Sequence, residues 1–402
     1  MRIGIVGLGV VGLSTGVVLA ERGHEVVGVD IDQGRVQGLQ CRRPPIYEPG
    51  LEEALNRNFE RMKFSTDYSS LSDAEVIFIT VSTPTIDGRI YLGYVFDAAR
   101  KIREVARGVI AIKSTVVPGT ARKVKEITNL KVVSNPEFLR EGNALHDTES
   151  PDRVVIGSDD KEAGDLIQEL WSFTKAPVIR TTTDEAELIK YAANSFLAVK
   201  VSFINEIANL CERLNCDVNV IARAIGLDKR ISPYFLSAGL GWGGSCFPKD
   251  TLAITSFARD VGERLRIVEA AIEVNQERPF RALKLLKEVM GEVRGKTVCV
   301  LGLAFKPNTD DTRESVALKV VNLLRQEGAM VIAYDPKARS DVEMVTLDEC
   351  ITRADGVIIA TEWDEFRGLE PKLRGKPVVD GRRVLDPAKM GQEFRAIGLG
   401  VR

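Results

Sequence analysis

Histidine is nearly absent from this 402-residue chain, His24 and His146 being the two present. Chemistry that needs several imidazoles, such as a His-rich zinc site, is thereby excluded. Cysteine is also sparse: Cys41, Cys211, Cys216, Cys246, Cys299 and Cys350 contain no C-x-x-C pair, which argues against zinc ribbons and thioredoxin-like motifs. Their low density argues against a disulfide scaffold and points to a reducing cytoplasm. Excess charge is missing as well. Lys+Arg 55 against Asp+Glu 57 leaves a net charge of −2, too little positive charge for a broad nucleic-acid or anionic-membrane surface, so an anionic ligand must meet a local cluster. Long apolar runs are lacking too. The uncharged stretch Ile3–Ala20 comes nearest to one, but Gly4, Gly7, Gly9, Gly12 and Gly16 interrupt it; that density spoils a signal core and suits a strand-to-helix turn.

What is present alternates. Residues 2–6 read as a buried strand, 12–22 as a helix and 24–30 as a second strand, and short apolar runs follow at 75–82, 108–114, 131–135, 153–157 and 177–180. Such alternation predicts a parallel sheet covered by helices on both faces. From Asp184 to about Arg213 the apolar positions Leu188, Ala192, Phe196, Val199, Phe203, Ile207 and Leu210 recur every three or four residues without Gly or Pro, the spacing of one buried stripe on a long helix. Helical patterns continue over 218–226 and 249–290, and strand–helix alternation restarts at Gly295 with runs at 296–302, 329–335, 356–361 and 377–381 and a helix over 313–327. The expected fold is α/β, two Rossmann-like doubly wound domains (1–183 and 291–402) flanking an all-helical central domain (184–290) with a long helix.

Gly7-Leu8-Gly9-Val10-Val11-Gly12 is a G-x-G-x-x-G between a strand and a helix, with Asp30 ending the next strand. Gly7 permits the tight turn, Gly9 lets a pyrophosphate approach the backbone and Gly12 allows close helix–strand packing, while the helix N-terminus faces the phosphates. A carboxylate at Asp30 accepts ribose hydroxyls and repels the extra phosphate of NADP, so the expected cofactor is NAD. Arg35 either covers the adenosine or is a solvated charge. In the third segment Gly302-Leu303-Ala304 lacks the glycine triplet, so a second dinucleotide is not expected there.

The segment Gly241-Trp242-Gly243-Gly244-Ser245-Cys246-Phe247-Pro248-Lys249-Asp250 leads dense glycine into a cysteine at a predicted helix start. A cysteine there, near Lys249, has its thiolate favoured and is a candidate nucleophile, with Asp250 one turn on; a small buried cysteine in a turn is the alternative. Lys190 and Asn194 stand at i, i+4 on the long helix, able to meet a developing oxyanion or simply to be solvated. Asn135-Pro136-Glu137 and Lys113-Ser114-Thr115 each follow a predicted strand, at the sheet edge where α/β ligands bind.

Together these segments resemble the nucleotide-sugar 6-dehydrogenases, the UDP-glucose/GDP-mannose dehydrogenase family. The likeness spans nearly the whole chain: GLGVVG at 7–12, YEPGL at 47–51, STVVPGT at 114–120, NPEFLREG at 135–142, PDRVVIG at 151–157, KYAANSFLAVK at 190–200, GWGGSCFPKD at 241–250, FKPNTDDTRES at 305–315 and DGRRVLD at 380–386. It implies oxidation of a sugar primary alcohol to a carboxylate at the expense of two NAD, through a thiohemiacetal and a thioester on Cys246. By the same resemblance Lys190 and Asn194 stabilise the C6 oxyanion, Asp250 orients water and lysine, and Glu137 with Thr115 assists through water. The implied cofactor contacts are Gly7, Gly9, Val10, Val11, Gly12, Asp30, Arg35, Thr83, Thr115, Glu141, Lys249 and Arg313. The implied sugar-nucleotide contacts are Glu137, Phe138, Leu139, Arg140, Glu141, Lys190, Asn194, Phe235, Leu236, Ser237, Ala238, Gly239, Gly243, Phe305, Lys306 and Arg382, with Arg230 reaching across from a second subunit.

Within that family Ser245 and Lys249 argue against the UDP-N-acetylhexosamine branch, whose members usually carry His before the cysteine and lack the following lysine. The PDRVVIG and LREG runs favour UDP-glucose, giving UDP-glucuronate, over GDP-mannose. Trp242 departs from the usual Phe or Tyr, and Tyr91 stands where an acid is frequent. A binding protein that has lost catalysis is the reading from another class. The expectation is completed by no metal, no nucleic-acid or membrane partner, and a cytoplasmic homodimer built on the long helix, whose length exceeds what a small domain needs.

Overall fold

The computed structural model describes Met1–Val401. Two compact units divide the chain: Met1–Ala193 with Leu252–Val261, and Asn194–Thr251 with the chain from Gly262 onwards. The strands of the first are β1 (Arg2–Val6), β2 (Glu25–Val29), β3 (Met62–Ser65), β4 (Val76–Ile79), β5 (Thr85–Ile86), β6 (Arg89–Ile90), β7 (Val109–Ile112), β8 (Val132–Ser134), β9 (Val154–Gly157) and β10 (Val178–Thr181). All but the β5–β6 hairpin join one sheet in the order β10-β9-β8-β7-β4-β1-β2-β3. Alternate residues feed two cores: Val76 and Phe78 point to one face, Ile77 and Ile79 to the other. Burial on both faces is why these strands read as unbroken apolar runs.

The sheet is not wholly parallel. β8 meets β9 antiparallel, Ser134 opposite Gly157, while β9 and β10 run parallel to each other. Between β8 and β9 lie a loop and the short helix Ala144–Glu149, and the chain turns back instead of crossing over to a parallel position. This reversal brings β9 and β10 to end level with Ser134, where the helix Thr183–Leu214 begins. Gly157 allows that start: a Cβ there would lie 2.5 Å from both Ala186 Cβ and Thr182 O. β3 and the β5–β6 hairpin were not expected from the sequence, being short pieces with at most four residues of alternation.

The second unit carries β11 (Thr297–Leu301), β12 (Met330–Tyr334), β13 (Glu343–Met344), β14 (Gly356–Ile359), β15 (Val378–Asp380) and β16 (Phe394–Ala396), parallel in the order β13-β12-β11-β14-β15-β16. The helical pattern expected over 249–290 is two helices, Phe247–Asp260 and Arg266–Met290, parted near Gly262, whose φ is +86°. Ile204, Ala208 and Cys211 of the long helix and Ala282, Leu285 and Leu286 of the helix Arg266–Met290 share one core with β11, β14 and β15, whereas Leu188, Phe196, Phe203 and Leu210 of the stripe expected to be buried are exposed, because a neighbouring face of the helix meets that core. Within that core Cys299 of β11 and Cys350 of the helix Leu347–Arg353 form a disulfide. Sparse cysteine led to no such expectation, since 51 residues separate the pair and no motif marks it.

Both sheets repeat one local device. Gly7 (φ +100°) follows β1, beside Thr80, and Asp30 after β2 accepts the Leu8 N–H at 2.8 Å. Gly302 (φ +91°) follows β11, beside Thr361, and Asp335 after β12 accepts the Leu303 N–H at 2.7 Å. The copies then diverge. The helix Val10–Glu21 starts at once in the first, whereas the loop Phe305–Ser315 precedes the helix Val316–Gln326 in the second.

Candidate active site

The glycine turn has the shape a dinucleotide needs. A Cβ on Gly12 would sit 2.0 Å from the Gly7 carbonyl oxygen, so helix and strand touch there, whereas a Cβ on Gly9 meets nothing within 4 Å and leaves the approach to the main chain open. Asp30 is buried; besides Leu8 it accepts the Asp32 N–H at 2.9 Å and Arg35 Nη1 at 3.1 Å. Arg35 is thus tied to Asp30, not simply solvated. On the neighbouring strand ends, Thr83 Oγ1 donates to the Thr115 carbonyl at 2.8 Å and Ser114 Oγ to that of Val81 at 2.7 Å.

Beyond β8, the Glu137 carboxylate meets Lys190 Nζ at 3.1 Å and accepts the Leu139 N–H at 2.6 Å, both side chains being buried. Burial alone would push the Glu137 carboxyl up, but Lys190, the Leu139 N–H and Lys113 hold it below the usual carboxylate range. Lys113 is buried with Nζ 3.4 Å from Asn135 Oδ1 and 4.6 Å from the centre of the Trp171 ring. Loss of hydration brings its ammonium down to about 8, Glu137 acting in the opposite direction. Phe138 is stacked under Arg153, whose guanidinium carbon is 3.6 Å from the ring centre. Arg140 turns to Asp147, with Nε and Nη2 at 2.9 and 2.6 Å. Glu48, from the YEPGL run, is buried and accepts the N–H groups of Gly142 and Ala144 at 2.8 and 2.7 Å, pinning the loop that carries Leu139–Glu141.

In the second unit Cys246 immediately precedes the helix Phe247–Asp260 and its carbonyl accepts the Asp250 N–H at 2.9 Å, so it caps that helix as expected. Asp250 is buried between Asn194 Nδ2, at 2.7 Å, and Lys249 Nζ, at 2.5 Å. Trp242 is a core residue: Nε1 donates to Ser202 Oγ at 3.0 Å, its main-chain N–H to Asn275 Oδ1 at 2.7 Å, and its ring is edge-on to Phe247. The departure from Phe or Tyr therefore supports the loop from beneath. Arg278, fully buried, donates Nε to the Gly239 carbonyl at 3.0 Å and Nη1 to Asn209 at 2.6 Å; burial lowers its guanidinium to about 10. Arg382 Nη1 donates to the Gly241 carbonyl at 3.1 Å and Nε to that of Ala360 at 2.9 Å, while Gly244 N–H donates to the Arg313 carbonyl at 3.1 Å. The Phe305–Ser315 loop, Arg382 and the glycine loop are thus brought together. The guanidinium of Arg313 faces Asp311 and that of Arg230 faces Asp228, the Arg230 side chain being 89% exposed. Ser237 and Phe235 are exposed, whereas Leu236, Ala238 and Gly239 are buried.

Residues 1–175 match the NAD binding domain of the UDP-glucose/GDP-mannose dehydrogenase family, 184–277 its central domain and 299–387 its UDP binding domain. The chain belongs to that family. The UDP-glucose 6-dehydrogenase TuaD of Bacillus subtilis is 42% identical over 99% of this chain and 93% of its own length. A solved UDP-glucose dehydrogenase from the hyperthermophilic archaeon Pyrobaculum islandicum superposes with a TM-score of 0.94 at 43% identity, covering 99% and 98% of the two chains. A GDP-mannose dehydrogenase from Pseudomonas aeruginosa is 31% identical, with a TM-score of 0.56 and coverage of 99% and 100%.

For a member of this family the open face at Gly9, the turn at Gly7 and the carboxylate of Asp30 fit NAD. Among the described residues no cluster of His, Cys, Asp and Glu suited to a metal occurs, and no helix is long and apolar enough to cross a membrane. Sequence reasoning missed the supporting groups Asn275 and Arg278, and it met Glu48 and Lys113 only within the YEPGL and Lys113-Ser114-Thr115 segments without giving them a role. A charged or amide residue on the buried side of a helix was the visible sign of Asn275 and Arg278, whereas Glu48 and Lys113 lie outside helices and strands.

Proposed function

We propose that the protein oxidises C6 of UDP-glucose to the carboxylate of UDP-glucuronate, with Cys246 holding the intermediate. NAD, when bound, takes up one hydride in each of the two oxidations. The observation that carries the reading is the cysteine at a helix N-terminus followed one turn later by Asp250, itself bracketed by Asn194 and Lys249. The main-chain N–H groups of that helix end favour the Cys246 thiolate, which adds to the C6 aldehyde to give a thiohemiacetal. Oxidation of that adduct gives a thioester, and attack by water then releases the carboxylate and returns the thiol. Lys190 presents an ammonium and Asn194 a carboxamide to the oxyanion at C6. Glu137, ionised beside Lys190, takes the proton of the hydrolytic water with Thr115 holding that water, and Asp250 orients Lys249 and water.

The uridine diphosphate is held by the Phe138–Glu141 and Phe235–Gly239 loops, Gly243, Phe305, Lys306 and Arg382. The adenosine side of the cofactor lies along Gly7–Gly12, Asp30 and Arg35, with Thr83, Glu141, Lys249 and Arg313 toward the nicotinamide. Three functional segments, 1–183, 184–290 and 291–402, serve cofactor, chemistry and nucleotide in turn. A homodimer is supported by the helix Thr183–Leu214, where Phe196, Phe203, Leu210 and Leu214 are 65, 49, 51 and 64% exposed at the spacing of a heptad seam. Arg230 then belongs to the partner's substrate contacts. We also infer a cytoplasmic location; the Cys299–Cys350 pair is compatible with it because both residues are fully buried and so shielded from thiol reductants.

The test is a panel of UDP-glucose, GDP-mannose and UDP-N-acetyl sugars with NAD, read as NADH absorbance. UDP-glucose should give the highest kcat/KM. No NADH with any member would overturn the enzyme reading, and a preference for GDP-mannose would move the substrate to the other branch. Cys246→Ser should retain some first oxidation and lose turnover; unchanged steady-state activity would contradict the covalent scheme. Light scattering that gives a monomer mass would remove the dimer.

A further inference from the structure

One buried carboxylate has no part in the chemistry above, yet it touches all three main-chain segments that lead to the first unit's reacting groups. Glu187 lies on the helix Thr183–Leu214, 3% exposed. Its Oε2 accepts the Gly119 N–H at 2.8 Å, and its Oε1 accepts the Ala121 N–H at 2.8 Å and the Ser134 hydroxyl at 3.3 Å. Gly119 closes the strand-end loop that carries Thr115 and caps the helix Thr120–Thr128, which has no side-chain cap of its own. Ser134 is the last residue of β8, three before Glu137. Lys190 is one turn further along the helix that bears Glu187.

We propose that Glu187 is a positioning residue for the oxidation: its carboxylate ties together the segments that carry Thr115, Glu137 and Lys190, and its protonation loosens that tie. The inference rests on the reading of those three as active-site groups. An ionised carboxylate is acceptor-only and can serve two N–H groups and a hydroxyl at once; of these three partners only the Ser134 hydroxyl can accept the proton of a carboxylic acid, so protonation weakens the hold on the Gly119 and Ala121 N–H groups. The charge that acts on it is Asp184 on its own helix, paired with Arg122 of the helix Thr120–Thr128 at 3.0 Å, while Lys190, one turn on, is paired with Glu137. Burial, with Asp184 adding to it, pushes the Glu187 carboxyl up to about 7 against the pull of its N–H donors. The tie therefore loosens near neutral pH and tightens above it.

The experiment compares the full chain with Glu187→Gln and Glu187→Asp, measuring kcat, both KM values, thermal stability and NADH binding on either side of neutrality. Wild type should lose kcat below pH about 7. Glu187→Gln should lower kcat about 10- to 100-fold, the cost of a displacement of about 1 Å among reacting groups, with both KM values nearly unchanged and the neutral acid limb gone. Glu187→Asp, which keeps the charge on a shorter arm, should recover part of kcat and keep an acid limb. If the Gln variant fails to fold, the Asp variant decides: a kcat and acid limb equal to wild type overturn the inference. Loss of thermal stability in the Gln variant with kcat and its pH profile unchanged reduces Glu187 to a helix cap and also overturns it. A wild type that oxidises no nucleotide sugar sinks the functional reading and this inference together, whereas an active wild type with unaltered variants sinks the inference alone.

Discussion

Reducing the Cys299–Cys350 bond should destabilise the second unit without changing its folded shape. The bond spans 51 residues, and restricting a loop of that length in the unfolded chain is worth about 4 kcal/mol in the chain-entropy model. For a unit of this size, each kcal/mol moves the melting temperature by about 2–4 °C, so the shift expected is on the order of 10 °C. Because the chain contains two compact units, the shift should fall on one calorimetric transition and leave the other in place. The assay is scanning calorimetry of oxidised protein and of protein reduced in denaturant and refolded, with thiols titrated in denaturant. With Cys41, Cys211, Cys216 and Cys246 outside the disulfide, protein prepared without reductant should show four thiols, and reduced protein six. Six thiols in both would mean that the bond is not formed. Four and six with superimposable scans would refute the entropic reasoning.

Three further outcomes are expected. Gly9→Ala should fold normally, since a Cβ there meets nothing within 4 Å, but raise the KM for NAD at least about tenfold by standing where the pyrophosphate approaches; an unchanged KM would show that the dinucleotide lies elsewhere. Glu48→Ala should strand the Gly142 and Ala144 N–H groups, costing about 1–3 kcal/mol and raising the KM for the sugar nucleotide more than that for NAD, as read by steady-state kinetics. Lys113 has its folded-state value lowered from 10.5 to about 8, so the folded protein binds fewer protons than the unfolded chain between those values and stability gains as pH rises through that window. The difference in melting temperature between wild type and Lys113→Met should move in favour of wild type from pH 8 to 10.5, and a pH-independent difference would remove the argument.

Local features were legible in the sequence where one stretch of chain contains its own reason. The turn from Gly7 to Gly12, the helix cap at Cys246 and the apolar period of the helix Thr183–Leu214 each follow from neighbours within a few residues. The spacing of Lys190 and Asn194 was legible too, but their partners were not: one is held by Glu137 and the other by Asp250. Glu48 and Glu187 act on main-chain groups far away in the sequence, and such contacts leave no period to read. The reversal between β8 and β9 was hidden for a related reason, because a buried strand has the same apolar run whichever way it points.

The two carboxylates at matching places in the two sheets carry different loads. Asp30 accepts from two main-chain N–H groups and Arg35. Asp335 accepts from Leu303, Ala304, Lys337 and Ala338 N–H and from the Trp363 indole. A carboxylate offers about four lone-pair positions, so the second aspartate is saturated by its own loops. For anyone re-engineering the second sheet to hold a dinucleotide, restoring glycines would be the smaller step. The acid would first have to be released from the architecture it now staples, and the domain would have to survive the release.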